Sequence, residues 1–510
     1  MSASLLSLFL TRARPSLERK VISYTRAFSF SPGDAGQKAE ELAQQQQQQC
    51  MSHTDQPSLS TVAAHAGVTT TTRYTNQALA PPIELATTYT RPAQGTYEPS
   101  HAVYSRMDNP TRRLLEQTVW QLETNTTSTI ICNSDNSTTC MTYAFASGMM
   151  AASSIVLAHQ LPLTVILPLD LYHGVSTVMV DVFQEKWGVK VRRVDLTDPK
   201  LLQQELLQLT QEQHDIDTTH NILIWIETPS NPSCHVMDIP AICQIVQKVR
   251  KQQQQQTNIT TVVDSTLAPP VIQQPLLLCQ NGNNHHHPDN AGIDLVMHSA
   301  TKYMAGHSDA TVGIVTASPF TQQGRMLGPK LQQTQIAVGG VASPMDSWLT
   351  LRGLRTLHVR VQRQSQTAMT LATRLQELKQ QQQQQQQDKN SIMIIQKVHY
   401  PGLISHPQHA VAKRQMKQQQ YGGVLSVEFA SPHLAMAFAG ALNIMYRATS
   451  LGGTETLVEE RRSIEPPGRQ TSPPGLVRIS VGLEAETDLL RDVERALDIA
   501  KQVCHENCDS

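Results

Sequence analysis

Apolar positions fall into two patterns along this chain. Short continuous runs stand at Val165–Leu167, Ile222–Ile226, Thr261–Val263 and Asp294–Met297, as in strands buried on both faces. The last three end at 226, 263 and 297, intervals of 37 and 34 residues that suit strand–helix–strand units. A helical stripe lies between two of them. Ile242, Ile245, Val246 and Val249 recur at i, i+3, i+4 and i+7, and the segment is entered through Asp238 and Pro240. The middle of the chain therefore predicts a mostly parallel α/β sheet. From Ser343 onward, helical segments at Pro344–His358 and Thr487–Val503 bracket strands such as Gly423–Phe429 and Val477–Val481. That pattern predicts a second, smaller α+β domain.

Four glutamine runs interrupt these patterns: Gln44–Gln49, Gln252–Gln256, Gln380–Gln387 and Gln418–Gln420. They have no apolar face to bury and read as expansions in surface loops, where insertion costs little closure entropy. The polar stretches Asn125–Thr139 and Asn281–Asn290 read as insertions too, and His285–His287 as a loop repeat rather than a metal site. No metal is expected.

Composition narrows the function classes. The chain has 510 residues, and its 41 Lys+Arg against 42 Asp+Glu leave a formal charge of −1. Such a balance argues against a polyanionic partner, so no nucleic acid is expected. No apolar run approaches the ~20 residues of a membrane span. Eight scattered cysteines do not make a disulfide scaffold. The first thirty residues carry Arg12, Arg14, Arg19, Lys20 and Arg26 against one acid, Glu18, among Ser, Leu and Phe. This is the composition of an organelle transit peptide. It predicts mitochondrial import, with plastid or cytoplasmic residence as alternatives.

Polar residues cluster just past the strand ends, where open α/β sheets place ligands. Tyr172 follows the first run, Glu227–Pro232 the second, Asp264-Ser265-Thr266 the third and Ser299-Ala300-Thr301-Lys302 the last. Together they supply a lysine amine, a carboxylate for a pyridine nitrogen, and hydroxyls near a helix start for a phosphate. A pyridoxal phosphate site needs these parts.

The ordered segments Tyr104-Ser105-Arg106, Asn109-Pro110-Thr111, Ser147-Gly148-Met149, Glu227–Pro232, Val263–Thr266, His298–Tyr303 and Gly306–Asp309 resemble the Cys/Met-metabolism family of pyridoxal phosphate enzymes. So do Leu351–Leu357, Ser450–Gly453 and Arg478–Glu484. The resemblance spans residues 74–503 apart from the insertions. It implies fold type I, the aspartate-aminotransferase-like fold: a mostly parallel sheet domain with a smaller C-terminal α+β domain. The chain then divides into a transit-like, disordered Gln-rich leader (1–73), an arm reaching a neighbouring subunit (74–111), a cofactor-binding large domain (112–342) and a small domain (343–510).

The resemblance also implies roles. Lys302 is the Schiff-base lysine and the base that removes the substrate Cα proton. Asp264 pairs with the pyridinium nitrogen, Tyr172 lies over the ring, and Asn231 stands beside the ring hydroxyl. Gly148, Met149, Ser299 and Thr301 hold the phosphate, with Thr266 also in the cofactor set. Tyr104 and Arg106 reach it from the neighbouring subunit, which implies a homo-oligomer, a dimer or tetramer. Arg478, with Ser450 nearby, clamps the substrate α-carboxylate. The implied substrates are small amino acids. The activity it implies is cystathionine γ-synthase-like replacement, with γ-lyase or β-lyase cleavage as alternatives. An inactive Gln-rich interaction protein on the same scaffold is the alternative from another class.

Two positions depart from the family. The γ-enzymes carry Glu immediately before Ser-Leu-Gly-Gly, where this chain has Thr449. They also carry Arg five residues after the ring-stacking tyrosine, where it has Thr177. Charged handles for the far end of the substrate are thus missing from their usual places. Arg461 or Arg462 could replace them, or the two could form a solvated surface pair.

Overall fold

Both faces of the run Ile222–Ile226 are buried, which explains why its side chains are apolar at every position. In the computed structural model, Leu223 and Trp225 pack with Ala151, Ile155 and Val262 on one face. Ile222, Ile224 and Ile226 pack with Leu202, Leu206, Ile242 and Val246 on the other. Each such buried side chain contributes ~1.5–3 kcal/mol relative to exposure. The structure describes residues 58–67, 79–95, 102–125, 140–212, 220–252, 257–279, 292–385, 394–465, 468 and 470–508. The arginine-rich leader, Gln44–Gln49 and His285–His287 lie outside the described residues.

Seven strands form the large sheet: β1 (Thr142–Phe145), β2 (Leu163–Pro168), β3 (Lys190–Val194), β4 (His220–Glu227), β5 (Thr257–Asp264), β6 (Leu295–Ser299) and β7 (Gly313–Ala317). Their order is β1-β7-β6-β5-β4-β2-β3. The pairs β2–β3, β2–β4, β4–β5 and β5–β6 are parallel, and β7 runs antiparallel to both neighbours. Register brings Glu227 beside Asp264 and Asp264 beside Met297. The carboxyl ends of β4, β5 and β6 therefore present their polar residues at one sheet edge, the ligand edge of this architecture. It is the mixed α/β arrangement, with a large mainly parallel sheet, expected from the sequence.

A second sheet is built from β8 (Ile395–His399), β9 (Val424–Phe429), β10 (Tyr446–Arg447), β11 (Leu457–Glu460) and β12 (Leu476–Ser480), in the order β10-β11-β12-β9-β8. One continuous apolar core joins it to helices on both sides of position 343. Leu115 and Leu122 of the helix Pro110–Thr124 share that core with Leu351, Leu354, Leu371, Leu425, Val477 and Leu489.

Three local expectations are corrected. Residues 58–67, read as the end of a disordered leader, contain the helix Leu59–Ala64, capped by the Ser58 hydroxyl. Ala63 of this helix and Ala66 just beyond it are small enough to be buried in the core. The segment Pro344–His358 is not one helix. It breaks at Arg355–Thr356, where Arg355 turns to donate to the carbonyls of Ala66 and Leu79. Finally, Gln380–Gln385 are not loop but the last turns of the helix Leu357–Gln385. Glutamine propagates a helix well once a packed segment has nucleated it. Among the described residues no helix is long and apolar enough to cross a membrane.

Candidate active site

A cleft of about 450 Å³ opens at the carboxyl edge of β4–β6, and eleven of the thirteen residues singled out from the sequence line it. They are Gly148, Met149, Tyr172, Asn231, Asp264, Thr266, Ser299, Thr301, Lys302, Ser450 and Arg478. Tyr104 and Arg106 do not line it. Tyr104 is half-exposed, and Arg106 stacks over its ring and donates to the carbonyl of Ile336.

Lys302 leaves β6 on a turn closed by its own N–H to Ser299 O (3.1 Å) and by Gly306 N–H to Lys302 O (2.8 Å). Its Nζ donates to Ser450 Oγ at 2.7 Å. Burial, reinforced by the Arg478 charge and partly offset by Glu459, lowers the amine to about 8. Ser450 holds its hydroxyl there from a backbone φ of +81°, a conformation costly for any residue with a β-carbon.

Asp264 is buried, and its Oδ1 accepts both the N–H (3.0 Å) and the hydroxyl (2.6 Å) of Thr266. The Thr266 hydroxyl in turn accepts from Ser299 N–H at 2.8 Å. Thr266 is thus the clasp that fixes the carboxylate and ties β5 to β6. Burial raises the Asp264 pKa, although the Thr266 bonds and nearby His298 pull it down. His298 is itself anchored on Glu123 at 2.6 Å.

Glu227, quoted above only as part of a motif, is a positioning residue that sequence reasoning missed. Its carboxylate accepts from the N–H of Tyr172 (2.9 Å) and of Asn231 (2.8 Å). Burial first, then the Asp264 charge, push its pKa well up. An acid directly ending an apolar strand was the available signal. Arg478 donates to Asn231 Oδ1 (3.0 Å) and Ser450 O (2.8 Å) and pairs with Glu459 (2.9 Å). Burial lowers it to about 10, with Glu459 opposing, so it stays charged.

These residues fit pyridoxal phosphate. The helix Gly148–Leu157 starts at the cleft with Ser147 as N-cap, and Ser147 satisfies the N–H groups of Met150 and Ala151. The N–H groups of Gly148 and Met149 are among those a helix start leaves for an anion. A Cβ at Gly148 would lie 2.9 Å from Ser299 Cβ and Oγ, filling the cradle between helix and strand. Asp264 is a buried carboxylate facing the cleft, the chemistry a ring N–H requires.

Of the two arginines weighed as substitutes, only Arg461 reaches the cleft. It is 4% exposed, whereas Arg462 turns outward to Gln470. Thr177 bonds to His173 at 3.1 Å and does not line the cleft.

Known proteins resemble the chain over most of its length. The family described as Cys/Met metabolism PLP-dependent enzyme matches residues 60–498. The chain is 33% identical over 424 residues to cystathionine β-lyase of Coxiella burnetii, covering 82% of this chain and 92% of that one. It is 34% identical over 448 residues to cystathionine γ-lyase of Sus scrofa, covering 86% and 93%. Among solved structures, cystathionine γ-synthase of Xanthomonas oryzae in complex with aminoacrylate and cysteine superposes with a TM-score of 0.69 at 29% identity. That match covers 88% of this chain and 99% of the other.

Proposed function

The chain belongs to the Cys/Met-metabolism family of PLP-dependent enzymes, and from that membership we propose that it makes cystathionine by γ-replacement. In that reaction the Cγ–O bond of an O-activated homoserine breaks and a Cγ–S bond to cysteine forms, releasing the acid of the activating group. The coarser statement, a PLP-dependent enzyme of trans-sulfuration, rests on the family match and the relatives. One observation carries the chemistry: Lys302, Asp264, Asn231 and Arg478 converge on one cleft. The likeness to a γ-synthase structure supports the synthetic direction. The γ-lyase and β-lyase relatives support cleavage of cystathionine as the second reading.

Pyridoxal phosphate, when bound, acts as the electron sink for the carbon bearing the substrate amine. Gly148, Met149, Ser299 and Thr301 would hold its phosphate, Asn231 its ring hydroxyl and Asp264 its ring nitrogen. Arg478 orients the substrate by its α-carboxylate through a planar fork of donors. Lys302 is then placed to take the Cα proton, since a neutral amine held beside it gains from proximity. Ser450 keeps the free amine aimed into the cleft between proton transfers. Glu227 anchors the backbone that carries Tyr172 at the cleft mouth. Tyr104 and Arg106, exposed and outside this chain's own cleft, support a site completed by a neighbouring subunit.

Two results test this reading. Given O-acetyl- or O-succinylhomoserine with cysteine, the enzyme should yield cystathionine; release of cysteine or homocysteine from cystathionine with no synthesis would transfer the assignment to a lyase. Capture of pyridoxal phosphate by cofactor-free protein, followed by its visible band, should quicken with pH and level off above about 8, where the Lys302 amine is neutral. An ordinary lysine would keep gaining about tenfold per pH unit up to ~10.

A further inference from the structure

The cleft is also lined by charged side chains that the reaction at Lys302 does not use. Thr449, Arg461, Ile464 and Glu465 line it alongside the residues described above. Arg461 pairs with Glu459, and the same Glu459 oxygen binds Arg478 at 2.9 Å. One carboxylate thus bridges two guanidinium groups, leaving one positive charge over and placing Arg461 beside the α-carboxylate clamp. The Arg461 Nε is buried and has no hydrogen-bond partner among the described residues. An orphan donor on a buried arginine is costly unless a ligand satisfies it.

Glu465 is the complementary charge. It is 4% exposed, and its Oε2 accepts from the N–H of Thr471 (2.7 Å) and Ser472 (3.1 Å). Its Oε1 accepts from the Ser472 hydroxyl. Three acceptor sites are filled, and an ionised carboxylate has about four. Burial works against its ionisation, but the Ser472 and Thr471 bonds, aided by the Arg461 charge, hold its pKa below the usual range. A fixed cation and a fixed anion therefore line one part of the cleft, in a chain whose usual family positions for such charges are Thr177 and Thr449.

We propose that Arg461 and Glu465 bind the far amino-acid head of a two-headed substrate, its carboxylate on Arg461 and its ammonium on Glu465. Cystathionine carries two such heads, and in synthesis the incoming cysteine supplies the second one. The pair restores, from the loop after β11, the charges that positions 177 and 449 lack. This inference rests on the trans-sulfuration reading and deepens it.

The test uses holoenzyme of Arg461→Ala, Arg461→Lys and Glu465→Gln, each checked for unchanged melting and cofactor band. Arg461→Ala should raise KM for cystathionine, or for cysteine in synthesis, by about 10–100-fold with kcat changed less than about threefold. KM for O-acetylhomoserine, which has one head, should move less than about threefold in the same variant. Arg461→Lys should recover part of the loss, and Glu465→Gln should raise the two-headed KM by about tenfold. A parallel rise of KM for both substrates, or no rise in either, overturns the assignment. Wild-type enzyme that uses O-acetylhomoserine but neither makes nor cleaves cystathionine overturns the parent reading instead.

Discussion

Lys302→Ala is expected to abolish the visible cofactor band and to lower turnover by roughly 10³-fold or more, a typical scale for loss of a positioned proton-transfer group. Lys302 is the only lysine among the described residues lining the cleft, so no second amine stands ready to replace it. Among the described residues its amine makes one hydrogen bond, to Ser450, and burial disfavours its charged form. Truncation therefore removes chemistry rather than support, and the cofactor-free variant should melt within a few degrees of wild type. Absorbance and turnover measured on the same preparation decide the matter: a retained band with retained turnover would mean that another group bears the cofactor.

Asp264→Asn carries the second largest effect. The substitution keeps shape and can still accept the Thr266 bonds, but removes the charge facing the ring nitrogen. Turnover should fall by about 10²–10³-fold, a typical scale for losing one preorganised electrostatic group, and cofactor should dissociate more readily. The cofactor-free protein should respond in the opposite direction. Burial holds the Asp264 carboxyl above its ordinary pKa, so the folded chain disfavours the ionised form. Stability tied to that group is present at low pH and is lost as pH rises through the raised value. Asparagine removes this cost together with repulsion from Glu227, so apo melting at neutral pH should hold or rise. A large drop in apo melting with cofactor affinity intact would show Asp264 to be structural.

The parts that could be read directly were those encoded by contiguous residues. Continuous apolar runs exist because β4 is buried on both faces, and polar residues following such runs gather at one edge because neighbouring strands are parallel. Errors arose where local preference met a neighbour far along the chain. Ser58–Gly67 orders because Ala63 and Ala66 find the core. The Gln380 tract joins a helix because Leu371, Ala372 and Leu375 upstream already pin that helix down. Arg462 and Arg461 are adjacent and chemically identical in sequence; only the path after β11 turns one inward to Glu459 and the other out to Gln470.

By itself, then, the sequence determined the fold class, the family and a set of candidate site residues, most of which one cleft gathers, because strand periodicity and short motifs are local properties. Tertiary structure alone decided that Glu227 anchors Tyr172 and Asn231, that Thr266 clasps Asp264, and that Arg461 and Glu465 line the cleft. Those facts depend on burial and on contacts between residues as far apart as Asn231 and Arg478. A low-dielectric cleft converts such contacts into shifted proton affinities and fixed charges, and no reading of neighbours along the chain can supply them.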